Sequence, residues 1–146
     1  MAQKFRLERV RALRERREEA AKLEFAGALR RQLDTARELT VAGDRITAAR
    51  AAQAQTASSI APVELQGHQL YLERLERAQE QVRDQLRRRA AELETQRVAL
   101  TRASQDREAL ERLKERSRTA QALELARVEQ LALDEIAGVS HQRRVA

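Results

Sequence analysis

The chain has 146 residues with 29 Lys plus Arg against 23 Asp plus Glu, a net charge of +6. That length suits one domain, and the absence of cysteine excludes a disulfide framework, a thiolate zinc site and a cysteine nucleophile. No apolar run approaches the length of a membrane span, and residues 1–9 lack the apolar core of a secretory signal, so a cytoplasmic chain is expected.

Ala, Leu, Glu, Arg and Gln dominate, and all are strong helix formers. β-branched and aromatic residues, which strands favour, are scarce; the only aromatics are Phe5, Phe25 and Tyr71. Such a composition builds long helices or coiled coils, and high charge with few aromatics makes disorder the rival. Periodicity separates the two.

In chain order, the first helix is expected over residues 3–56. Its apolar stripe is ragged: Phe5, Val10, Leu13, Ala20, Leu29, Leu33, Ala36, Leu39 and Ile46. From Ala48 to Ala57 the chain is nearly all alanine and glutamine, which bury little area. A turn is expected at 57–61, where Ser58 and Ser59 are possible helix caps and Pro62 suits a first helical turn.

The second helix is expected over 62–137 and carries the clearest signal. Alternating steps of three and four from Leu72 give Leu72, Leu75, Gln79, Val82, Leu86, Arg89, Leu93, Gln96, Leu100, Ala103, Arg107 and Leu110. Eight of these twelve positions are apolar, over more heptads than a coiled-coil assignment needs. Past Leu113 the phase fails, and a new apolar face appears at Leu125, Val128, Ala132 and Ile136. Gly138 reads as a helix stop, leaving a basic tail at 138–146.

Two helices and one short turn make an all-α, antiparallel coiled-coil hairpin. Pairing about residue 59 sets position i near 118 − i. The first helix then runs out near residue 117, where the second loses its phase, so the second helix should overhang. Charge pairs at helical spacing (Glu18/Lys22, Glu73/Arg77, Asp84/Arg88, Glu108/Arg112) support solvated faces.

No catalytic constellation emerges. His68 and His141 stand far apart without carboxylate companions, the four glycines are scattered, and a helical hairpin has no concave pocket. The chain is therefore expected to be no enzyme, to hold no metal and to need no cofactor. The positive charge concentrates in residues 1–56, with 13 basic and 8 acidic side chains. A basic nucleic-acid-binding helix is disfavoured, because Glu15, Glu18 and Glu19 dilute the patch and no asparagine is present to read bases. An acidic protein surface fits the charge at least as well, and the residues do not choose between it and lipid. Tyr71, near the turn, either plugs the hairpin base or anchors a partner.

An ordered set of segments carries a family resemblance: Lys4-Phe5-Arg6-Leu7-Glu8-Arg9-Val10, then Leu13-Arg14, then Gln69-Leu70-Tyr71-Leu72-Glu73-Arg74-Leu75, then Leu110-Glu111-Arg112-Leu113-Lys114-Glu115-Arg116 and Leu133-Asp134-Glu135-Ile136-Ala137. In these segments and in its length the chain resembles the FliJ family of flagellar type III export components, with injectisome stalk proteins of the YscO type as relatives. It departs from the pattern at Gly138-Val139-Ser140, where an arginine is expected close by. The resemblance implies a non-enzymatic stalk, similar to the central shaft of rotary ATPases. Such a stalk binds the hexameric export ATPase (FliI-like), contacts the export gate (FlhA-like) and escorts export chaperones, peripheral to the cytoplasmic face of the inner membrane. It further implies an ATPase-binding end at Phe5, Leu7, Val10, Leu13, Leu113, Leu125, Val128, Asp134, Glu135 and Ile136. A gate-binding end would hold Leu39, Ile46, Tyr71, Leu75 and Ala78. The alternative is a generic coiled-coil scaffold in which these apolar residues only zip the helices.

Overall fold

A computed structural model describes residues 7–145. Among them there are two α-helices and no strand: α1, Glu8–Thr56, and α2, Pro62–Val145. The helices pack against each other in antiparallel fashion, because only five residues join them. The described residues form two compact units. One takes α1 up to Glu18 and α2 from Ala103 onward; the other is Glu19–Arg102 and contains the turn.

The turn is built without any residue at positive φ. The Ser59 amide donates to the Thr56 carbonyl at 3.0 Å, which closes α1. Proline then fixes where α2 starts. Its ring sets a helical φ, it lacks an N–H that would go unsatisfied at this position anyway, and it holds the preceding residue extended. Ala61 is therefore the cap. Its carbonyl accepts from Glu64 and Leu65 at 3.0 and 3.1 Å, and the serines instead sit at the end of α1.

Every one of the twelve α2 positions from Leu72 to Leu110 is half-buried, and the stripe continues through Lys114, Ser117 and Gln121. The α1 side differs from expectation. Val10, Leu13, Leu29 and Leu33 are exposed. The positions facing α2 step by three and four through Glu18, Ala21, Phe25, Ala28, Gln32, Thr35, Leu39, Ala42 and Ile46. The alanines at 21, 28 and 42 make room for the α2 leucines, and among the described residues Ala28 and Ile46 are the buried apolar ones. Thr35, also buried, satisfies its hydroxyl on the Arg31 carbonyl at 2.9 Å.

The register differs as well. In the unit that includes the start of α1, Arg11 meets Glu111 at 2.8 Å, Arg14 meets Asp106 at 2.6 Å, Lys114 meets Glu8 at 3.1 Å, and Arg107 pairs with Glu18. In the other unit, Arg31 meets Glu92 at 2.6 Å and Arg50 meets Glu76 at 2.7 Å. Pairing about residue 59 would have set Arg11 against Arg107. A shift of about one helical turn replaces that repulsion with opposite-charge pairs, so charge rather than the turn's midpoint fixes the register. The same shift moves the last half-buried position of α2 from the expected 117 to Gln121.

Beyond it, residues 122–145 are exposed without exception and helical throughout. Gly138 does not stop the helix: it has no positive φ, and α2 runs on to Val145. A helical glycine costs about 1 kcal/mol relative to alanine, which weakens a helix without ending it. Arg143 and Arg144 then sit in the last turn, where the helix dipole favours cations.

Candidate functional site

Among the described residues no group of three or more His, Cys, Asp or Glu side chains is placed to hold a metal ion. Shallow grooves run along the helices. One is lined by Arg112, Glu115, Arg116, Thr119, Ala120 and Leu123; another by Arg37, Glu38, Val41, Ala42, Arg45, Ala78 and Val82. What the chain offers instead is exposed apolar helix surface, the raw material of a protein interface.

In the unit with α1 up to Glu18, four ion pairs cross between the helices among the described residues. Arg11 is held by Glu8 and Glu15 on its own helix and by Glu111 across. Glu18 is buried and pairs with Arg107. Glu8 and Arg11 opposite Lys114 and Glu111 bring Val10 and Leu113 to one level of the helix pair. Leu7, Val10, Leu13 and Leu113 are exposed there. Of the expected ATPase-binding residues, Phe5 lies outside the described residues. Leu125, Val128 and Ile136 are 65%, 55% and 63% exposed on the uncovered length of α2. Glu135 is exposed beside them, and Asp134 accepts a hydrogen bond from Gln130 at 3.1 Å.

In the unit that holds the turn, Tyr71 and Ala78 are exposed, while Leu39 and Leu75 are half-buried in the seam. Ile46 is 5% exposed and packs within the helix pair, so its side chain is committed to holding the helices together. Tyr71 is half-exposed rather than buried under the turn.

Sequence reasoning passed over several of these residues. Leu123, Leu131, Leu133 and Val139 are exposed alongside Leu125 and Ile136. Val63, Leu65 and Leu70 are exposed near the turn. The signal for the first group was present in the apolar density of 122–139; assigning a stop at Gly138 hid its last member. The Glu18–Arg107 pair was hidden because its partners are 89 residues apart.

The ionic contact sets a pH response. Hydrogen bonds from Arg11, then from Lys114, hold the Glu8 carboxyl below the usual carboxylate range; those from Arg89, then from Arg31, do the same for Glu92. A depressed folded-state pKa contributes stability that is present above the unfolded value and is lost as pH falls through the folded value. Helix-pair stability is therefore expected to be level near neutral pH and to drop below the usual carboxylate range. Circular dichroism melting at a series of pH values checks this; a melting temperature unchanged between neutral pH and pH about 3 contradicts it.

No described helix is long and apolar enough to cross a membrane. No curated protein and no solved structure matches the chain. The family model described as the flagellar FliJ protein matches residues 3–146. With that match over nearly the whole length and a two-helix antiparallel packing beneath it, the chain belongs to the FliJ family of flagellar type III export components, a family of non-enzymatic proteins.

Proposed function

We propose that this chain acts in flagellar export as a stalk that binds the hexameric export ATPase and links it to the export gate. The ATPase contact is assigned to the unit that holds the start of α1 and the uncovered end of α2. Leu7, Val10, Leu13 and Leu113 flank the paired part, with Phe5 ahead of them. Leu125, Val128 and Ile136, with Asp134 and Glu135, supply the unpaired part. The gate contact is assigned to the turn-containing unit, through Tyr71 and Ala78 on the exposed side and Leu39 and Leu75 at the edge of the seam. Escort of export chaperones and a place at the cytoplasmic face of the inner membrane belong to the same reading.

One observation carries it: α2 keeps a long helical segment, residues 122–145, that is exposed throughout and that none of the described residues covers. Exposing four leucines, three valines and an isoleucine along one helix is unfavourable for a chain that works alone. A helix presented in this way suits insertion between the subunits of a ring.

ATP turnover of the cognate export ATPase, with and without the chain, tests the assignment. Stimulation is expected to saturate near one chain per ATPase ring. A variant ending at Gln121, which keeps every half-buried position of α2, should remain helical and lose the stimulation. Full stimulation by that variant rejects the assigned surface. The absence of stimulation or co-purification with the intact chain rejects the stalk.

A further inference from the structure

The uncovered segment of α2 has an internal symmetry. Leu125, Val128, Ala132, Ile136 and Val139 fall on one helical face, and all are exposed. They are palindromic about Ala132: Val128 and Ile136 lie four residues to either side, and Leu125 and Val139 seven. A second copy running antiparallel, with Ala132 against Ala132, would set Leu125 against Val139 and Val128 against Ile136. Each contact then pairs one large apolar residue with another. The alanine at the centre lets the helix axes approach closely, at the short end of about 8–10 Å.

We propose that residues 122–145 pair antiparallel with the same segment of a second copy of this chain, in a symmetric contact centred on Ala132. Both directions set some like charges level: the antiparallel one aligns Glu129 with Glu135, but it spares Glu124 and Arg143 their own duplicates. A parallel pair would place Glu124, Glu129 and Glu135 each beside its own duplicate, and Arg143 beside Arg143. The antiparallel pair carries Arg143 to the level of Gln121 in the second copy, within a turn of Glu124. Length also fits. Centred on Ala132, the second copy's Val145 reaches position 119, so the covered stretch ends within a turn of Gln121, where the cover given by α1 also ends. The contact is isologous and therefore closes at two chains. A stripe of five residues a side is well short of the roughly 20–30 of a standard interface, so pairing is expected only at about tens of micromolar or above. It uses the face assigned above to the ATPase, yet it stands on the stripe itself and is read without the ATPase.

The chain has no cysteine, so single engineered thiols are unambiguous reporters. Full-length Ala132→Cys, Leu125→Cys and Val139→Cys variants are oxidised mildly at a concentration where wild-type light scattering gives a mass rising toward two chains. The expected result is a covalent dimer from Ala132→Cys, little from Leu125→Cys or Val139→Cys alone, and dimer again from their equimolar mixture. Adding Val128→Asp and Ile136→Asp to Ala132→Cys should leave the far-ultraviolet helical signal intact and weaken dimerisation about tenfold or more. Cross-linking by Leu125→Cys alone as efficient as by Ala132→Cys overturns the antiparallel register. A wild-type mass of one chain at every concentration, with Ala132→Cys monomeric, overturns the pairing itself. Either result leaves the ATPase assay to be judged on its own outcome.

Discussion

Ile46→Asp is expected to unfold or nearly unfold the helix pair, whereas Ile136→Asp should leave its melting curve in place. Both residues are isoleucines on long helices, and both belong to apolar faces visible in the sequence. Ile46 is 5% exposed and is one of only two fully buried apolar residues among those described. An aspartate there loses the apolar burial and strands a carboxylate without water, a combined cost of about 4 kcal/mol or more. A small α-helical chain has little stability beyond that. Ile136 faces solvent, so aspartate there buries no charge and removes no intramolecular contact. Thermal and urea denaturation followed by circular dichroism compare the two directly. If Ile136→Asp melts as early as Ile46→Asp, the end of α2 is not free. If Ile46→Asp melts like the wild type, the seam does not hold the helices.

Arg107→Leu should destabilise the chain, and Glu18→Leu added to it should restore what was lost. Glu18 is buried and its carboxylate is matched by the Arg107 guanidinium from the facing helix. Removing the arginine takes away the facing helix's charge from a buried carboxylate, at a cost of about 2 kcal/mol. The figure is set below the range for a fully enclosed pair because the Arg107 side chain keeps 30% of its surface in water. Replacing both charges with leucine turns the site into an ordinary coiled-coil layer opposite small residues, and such swaps are neutral or stabilising. The expected order of midpoints in urea is double variant equal to or above wild type, and wild type above Arg107→Leu. The wild type keeps the pair for register: leucine at both positions would fit neighbouring alignments too, whereas Glu18 opposite Arg107 fits only one. A double variant as unstable as Arg107→Leu would show that the pair adds net stability and does more than select the register.

The helical class, the turn and the α2 seam were legible in the residues, and for a simple reason. The leucine repeat from Leu72 to Leu110 is a local property of one helix, and Pro62 dictates a helix start by its own covalent geometry. On α1 the expected stripe holds at Leu39 and Ile46 but not at several of its other large apolar residues. Val10, Leu13, Leu29 and Leu33 stay exposed, while Phe25, Leu39 and Ile46 turn inward together with alanines, a glutamine, a threonine and a glutamate. Size alone does not say which face turns inward when the partner already supplies the bulk. The expected gate residues divide on the same ground: Tyr71 remains available, and Ile46 does not.

The sequence by itself determined that this chain makes two long helices joined at a proline, and it carried enough ordered similarity to indicate its family. Those features depend on neighbours three, four or seven residues away, and each segment holds them alone. Tertiary structure decided the register, the inward face of α1 and the point at which α2 becomes uncovered. These depend on pairs such as Arg11 with Glu111 and Glu18 with Arg107, far apart along the chain. Many alignments of two helices satisfy the leucine repeat; the one adopted also sets opposite charges against each other, and that comparison exists only once both helices are side by side.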